Sequence, residues 1–298
     1  MPRDTGLPQT DAKFDFSRER RRRALSRLAS RLRLEPDDVN VILPFEEVVA
    51  ALGRRGERRL GLKSIAVDSI VGTVDRGREF DRRFRPRSSR VQSRWERIAT
   101  AQRRGDSFPP IDVYRIGELH FVKDGHHRVS VARAQGITHL DAYVTEVLTA
   151  IGANREILPR DLPLKSHERL FHERVPLPPE DRERIQLSDE WRYAGLAEGV
   201  EAWGFRVMQA RGELMSREEV ALAWFRDEYE PVVAMLHEAG LARSGSDAEA
   251  YMRVSTLRYL MLRTHEWTDE IIERLRGEIR RPSWDDDTLV RQIRKELR

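Results

Sequence analysis

Residues Ile111 to Gly136, IDVYRIGELHFVKDGHHRVSVARAQG, constrain the fold more than any other stretch. Ile111, Val113 and Ile116 form a short apolar run, Gly117-Glu118 reads as a tight turn, and Leu119, Phe121 and Val122 carry the chain back. Together they predict a β-hairpin. Asp124-Gly125-His126-His127-Arg128 then feeds a helical run ended by Gly136, a residue suited to the left-handed position after a helix. Such a loop presents unpaired N–H groups and the positive end of the helix dipole, and so suits an anion. Gly125 would let a ligand approach the backbone, and Arg128 can grip a phosphate through two parallel N–H groups. His126 and His127 can donate to phosphate or move protons near neutral pH. The plainer alternative makes Asp124 an N-cap, Gly125 a turn residue and the histidines solvated members of a first turn.

Two boxes in the chain carry a family resemblance. The first is Ile65 to Ile70, followed by Asp81 to Pro86; the second is Asp124 to Gly136, followed by the strand-like His139 to Val144. From about Lys63 to Val147, under a third of the chain, the sequence resembles the ParB/sulfiredoxin superfamily, also called the ParB-like nuclease domain. The resemblance implies a small α/β domain whose second box holds nucleotide phosphates. Members of that family include CTP-binding DNA partition clamps, ATP-using sulfiredoxins and a free-serine kinase. Gly125 and Arg128 match the partition-type box Gly-Glu-Arg-Arg-x-Arg, whereas His126 and His127 stand where Glu and Arg would be and Ser130 where the last Arg would be. A sulfiredoxin would carry a reactive Cys at His126, and a chain with no Cys cannot do that chemistry. The kinase box begins Asp-Gly-His, as Asp124, Gly125 and His126 do.

Composition adds the partner expectations. The sequence has 298 residues, 39% hydrophobic and 35% charged, a polar but globular balance with room for two domains. Residues 1–150 hold 30 Lys and Arg against 21 Asp and Glu, and residues 151–298 hold 24 against 29. That asymmetry points to an anionic partner for the first half. Met1 to Asp15 reads as disordered. Ser17 to Leu34 reads as a helix with Ser17 as N-cap, a narrow stripe of Leu25, Leu28 and Leu32, and an arginine-covered remainder. Arg20, Arg21, Arg22, Arg23 and Arg27 would lie on DNA phosphates; the alternative is a solvated helix that docks through its leucines. No apolar run approaches the roughly 18 residues that span a bilayer, and there is no signal-peptide core, so the expectation is a cytoplasmic protein with no membrane contact.

The expected fold is α+β: a basic helical N-terminal segment (1–60), a ParB-like α/β domain (61–150), a proline-rich connector (151–185) and a C-terminal helical bundle (186–298). Phe45 to Leu52 reads as a helix ended by Gly53, 54–59 as a basic loop, and Phe80 and Phe84 as core anchors. A helix is expected from Ser88 or Ser89 through Ala101, and a short one from His167 to His172. Ser216-Arg217-Glu218-Glu219 is a capping box, Pro231 should kink the helix it opens, and Ser246, Thr268 and Ser283 should cap others. The tryptophans read as bundle core, and Trp191 begins the pattern. The acidic run Asp285 to Asp287 lacks the spacing of a calcium loop, and no metal site is expected.

The functional expectation is a nucleotide-responsive, DNA-associated protein. A nucleoside triphosphate or diphosphate, with or without Mg²⁺, would be held by Gly125, His126, His127 and Arg128 with Asp124. Two alternatives stand beside it. One is a small-molecule phosphotransferase, in which Asp124 orients metal or substrate and His126 stabilises the transferred phosphoryl. The other is a regulatory scaffold with a degenerate pocket. A homodimer is compatible with any of these.

Overall fold

A computed structural model describes residues 4–35, 40–75, 77–242, 245–262 and 266–279. The chain is a mixed α/β protein that divides into two compact units, residues 1–169 and 170–298. Unit 1 holds a six-stranded mixed sheet of order β1-β3-β5-β4-β6-β2. Its strands are β1 (Leu43–Pro44), β2 (Arg54–Ala66), β3 (Ile70–Thr73), β4 (Ile111–Ile116), β5 (Leu119–Asp124) and β6 (His139–Thr149). β1, β3 and β5 run parallel, β4 returns antiparallel to β5 as the expected hairpin, and β6 runs parallel to β4.

β5 is the central strand, with Leu119, His120, Phe121 and Val122 all buried. Successive side chains point to opposite faces. Leu119 and Phe121 therefore meet Phe45, Val48 and Leu52 of α2 (Phe45–Leu52). Val122 joins Ile111, Val113, Ala142 and Val144 under Val129 of α4 (His126–Gln135). A further layer, α1 (Pro8–Leu32) and α3 (Gln92–Arg103), packs on the outer side of α4 through Ala12, Phe16, Trp95, Ala99 and Val131.

Four expectations for this unit change. The helix expected from Ser17 begins at Pro8, and residues expected to be disordered help anchor it: Asp11, Ala12 and Asp15 are buried, with Phe16 beside them. Phe16 meets Trp95 edge to face at 5.5 Å, and Asp15 pairs with Arg18 at 2.9 Å and with Arg103. Leu25, Leu28 and Leu32 face solvent at 66%, 56% and 77% exposure, so they are not the docking face. The basic loop expected at 54–59 is the first half of β2, an edge strand paired antiparallel with β6. Its Arg58 donates to the cross-strand partner Glu146 at 2.6 Å. An edge strand exposed on both faces carries no alternating apolar signal, and its charges discourage edge-to-edge association. A boundary at residue 60 would therefore cut β2, so the N-terminal segment and the α/β domain are one unit.

The connector helix is longer than expected, α5 (Leu162–Arg174), with its residues from Leu170 onward in unit 2, where α6 (Pro179–Arg182) follows. The bundle comprises α7 (Glu190–Arg211), α8 (Arg217–Trp224), α9 (Glu230–Glu238), α10 (Asp247–Leu262) and α11 (Asp269–Ile279). The capping box closes on α8 as expected, with Glu219 N–H on Ser216 Oγ at 3.2 Å and Ser216 N–H on Glu219 at 2.7 Å. Ahead of Pro231 the helix widens into a π turn over Phe225–Tyr229, a common way to absorb a missing N–H. Trp224, Tyr229 and Tyr251 form the bundle centre. Trp191 is 71% exposed and lies outside it. Ser283 and the acidic run at 285–287 lie outside the described residues. No helix among the described residues is long and apolar enough to cross a membrane.

Because α1 is anchored through its first half, Phe16→Ala should destabilise the protein by about 3–5 kcal/mol, the usual cost of emptying a buried aromatic site. Leu28→Ala should change it by under about 0.5 kcal/mol. Urea denaturation of the two variants checks the pair; equal effects would mean that α1 does not dock through this face.

Candidate functional site

The site is built where β5 gives way to α4. Gly125 has φ 104°, a backbone that favours glycine. A Cβ there would lie 2.4 Å from Ile111 Cγ2 and 3.1 Å from the Arg128 guanidinium. Packing against β4 therefore demands glycine here, whatever ligand the loop meets.

The expected site residues divide into an inward and an outward set. His126 and His127, expected to donate to phosphate from the loop surface, are 4% and 5% exposed. His126 Nε2 shares a 2.6 Å hydrogen bond with Thr73 Oγ1. This joins the ends of the parallel strands β3 and β5. The His126 ring lies 6.4 Å from both Phe80 and Phe84, and Phe80 meets the His127 ring edge-on at 5.3 Å. Asp124 lies outside, its side chain 64% exposed. The Arg128 fork, expected to close on phosphate, holds its own loop: it donates to the Pro109 carbonyl, to the Pro110 carbonyl at 3.1 Å and to Asp124 at 2.7 Å. Ser130, where the partition-type pattern has Arg, is 2% exposed and accepts the Trp95 indole N–H at 2.8 Å. That position is inside the core, and α3 occupies the space a longer side chain would need.

Residues that the sequence did not mark as site residues complete the arrangement. Asp81 accepts the Arg83 and Arg85 backbone N–H groups at 3.0 and 2.9 Å and the Arg85 Nε–H at 2.9 Å. This tight loop holds Phe84 at φ 57°, a strained value for a bulky residue. Arg133 of α4 stacks over the Phe84 ring at 5.3 Å and donates to the carbonyls of Val67, Ile70 and Arg82 at 3.0, 2.7 and 3.4 Å. Burial lowers the Arg133 pKa, and Asp68 and Asp81 oppose the shift. The motif run 81–86 was the one sequence signal pointing here.

Beside the C-terminal half of α4 opens a cleft of about 1030 Å³, bounded by α1, the 82–85 loop and Arg133. Seven arginines line it against four carboxylates, among them Arg22, Arg33, Arg82, Arg83 and Arg155. Several are committed to the protein: Arg82 donates to the Ile157 carbonyl at 2.7 Å, Arg85 to Asp81 at 2.9 Å and Arg133 to the Ile70 carbonyl at 2.7 Å, whereas Arg22, though within 3.0 Å of Glu19, stays exposed. Of the arginines expected on DNA, Arg23 donates to the Arg87 carbonyl at 3.2 Å, and burial and Arg87 lower its pKa. Arg20, Arg21 and Arg27 are exposed. Among the described residues, no group of His, Asp and Glu could hold a metal ion. No family model matches the chain, and no curated protein matches it.

Arg128→Ala removes three bonds from one loop and should lower stability by about 1.5–3 kcal/mol. Arg128→Lys should recover only part of this, because an ammonium cannot span the carbonyls and the carboxylate together. Urea denaturation measures both; a fully stable Arg128→Ala would show the fork to be free for a ligand. Thr73→Val should cost about 1–3 kcal/mol by removing the buried partner of His126.

Proposed function

We propose that unit 1 binds phosphate-bearing ligands, and that the protein is a nucleotide-responsive, DNA-associated member of the ParB-like class. The observation that carries this is the arginine-lined cleft beside α4. Seven guanidiniums against four carboxylates leave it positive, and its volume suits a nucleotide, since such pockets run to about 300–1,000 Å³. Guanidinium forks match phosphate oxygens in pairs. The role first expected of Arg128 passes to Arg22, Arg33 and Arg83 at the cleft, whose side chains are not buried. Gly125 to Arg128 then shape the loop that leads into α4. On the outer face of α1, Arg20, Arg21, Arg27 and Arg31 are exposed and make no ion pair among the described residues. That row suits a phosphodiester backbone, bound without base reading. The resemblance of the 124–136 box supports the same class. The phosphotransferase reading draws on the exposed Asp124 carboxylate beside the α4 N-terminus.

Replacing Arg22, Arg33 and Arg83 together by Glu should weaken nucleotide affinity at least about tenfold, the equivalent of 1.4 kcal/mol, while leaving the fold intact. Calorimetry against the common nucleoside di- and triphosphates, with and without Mg²⁺, reads this, and unchanged affinity would refute the cleft assignment. Replacing Arg20, Arg21, Arg27 and Arg31 by Glu should weaken binding to random duplex DNA and reduce the salt slope by about 0.9 for each phosphate no longer neutralised. This charge reversal is more informative than deleting α1, whose first half belongs to the core. Phosphate released from a bound triphosphate would favour phosphoryl transfer.

A further inference from the structure

At the opposite end of β5 from Asp124 lies a second cavity, of about 340 Å³, which the nucleotide and DNA readings do not use. It begins where the apolar face beneath α4 ends. Along β4 that face runs Ile111, Val113 and then Arg115; along β5, read backwards, it runs Val122 and then His120. Arg115 and His120 are directly paired across the two strands. Lys63 and Ser64 of β2, Ser69, Glu118 and Arg155 complete the polar lining.

The hydrogen bonding orients the imidazole. Ser69 Oγ donates its one proton to the Ala66 carbonyl at 2.6 Å, so at its 2.8 Å contact with His120 Nδ1 it accepts. Nδ1 therefore carries the proton, and Nε2 is a lone-pair acceptor. Among the described residues Nε2 has no partner, and His120 lines the cavity. Burial, with Arg115 and Arg155 adding to it, pushes His120 down to about 4, so the ring is neutral at pH 7. Around it stand three cations. Lys63 makes no ion pair among the described residues. Among the described residues Arg115 uses only Nε, on the Gly117 carbonyl at 2.6 Å and 4.0 Å from Glu146. Arg155 lies 3.5 Å from Glu118, again through Nε. The terminal N–H groups of both arginines remain for a ligand.

A neutral acceptor among cationic donors asks for an anion that still carries a proton. We propose that this cavity binds a hydrogen-bearing oxyanion, hydrogen phosphate. Lys63, Arg115 and Arg155 hold its charge, and its remaining O–H donates to His120 Nε2. Sulfate has the same shape and charge but no proton at neutral pH, so it leaves Nε2 unpaired against an oxygen lone pair. The site stands apart from the nucleotide cleft, and the two share only Arg155 among the charged groups of their linings.

Calorimetry at pH 7 and constant ionic strength with inorganic phosphate and with sulfate tests it. Wild type should prefer phosphate at least about tenfold, the scale set by one unsatisfied buried acceptor. His120→Gln, whose amide can donate or accept, should lose most of that preference. Lys63→Ala and Arg115→Ala, which lie outside the cleft lining, should weaken both anions and leave nucleotide affinity at the cleft unchanged, which separates this site from the cleft. Equal affinity of wild type for the two anions, absence of phosphate binding, or insensitivity to Lys63→Ala and Arg115→Ala overturns the proposal. Lys63 is exposed and outside the core, so that variant remains informative even if His120→Gln does not fold.

Discussion

Unit 1 depends on the close approach of Gly125 to Ile111. A strand buried on both faces must end, turn and launch a helix that covers one of those faces within a single residue. With no Cβ and a positive φ, Gly125 lets β5 pass into α4 directly above β4. The helix then lies over Ile111, Val113 and Val122, and its outer side receives α1 and α3. A side chain at this point would push α4 off the sheet and open both layers at once.

The arginines show how one residue type serves two ends. Arg128, Arg82 and Arg133 spend their donors on carbonyl oxygens of loops that would otherwise carry unsatisfied backbone groups. They act as cross-links between segments distant in sequence. Arg20, Arg21, Arg27 and Arg31 are exposed and hold no loop among the described residues. Counting arginines therefore overstates how many are left to meet an anion. The sheet's polar end, with His120 and Arg115 side by side, gives the same unit a second, differently built place for an anion.

Much of the fold was legible in the chain. The hairpin at Gly117-Glu118, the short helix before Gly53, the two core phenylalanines and the Ser216 capping box all rest on local rules: turn chemistry, periodicity and caps. The site was only partly legible. Asp124 to Arg128 marks a strand-to-helix turn in any reading. Which way His126, His127 and Arg128 point depends on Thr73, Phe80 and Pro109, and nothing local to the box encodes their arrival.

The sequence by itself determined the order of elements in unit 1 from residue 111 onward, the glycine at the β5–α4 turn, and the surplus of positive charge in the first half, because each depends on neighbours within a few residues. Tertiary structure decided that α1 docks through Ala12 and Phe16 while its leucines face water, that residues 54–59 are an edge strand, and that the arginine of the box holds a loop. Each of these outcomes is set by long-range packing. A helix buries the face that finds a complementary surface, here Trp95 and Val131, and an arginine donates to the carbonyls the fold brings within reach.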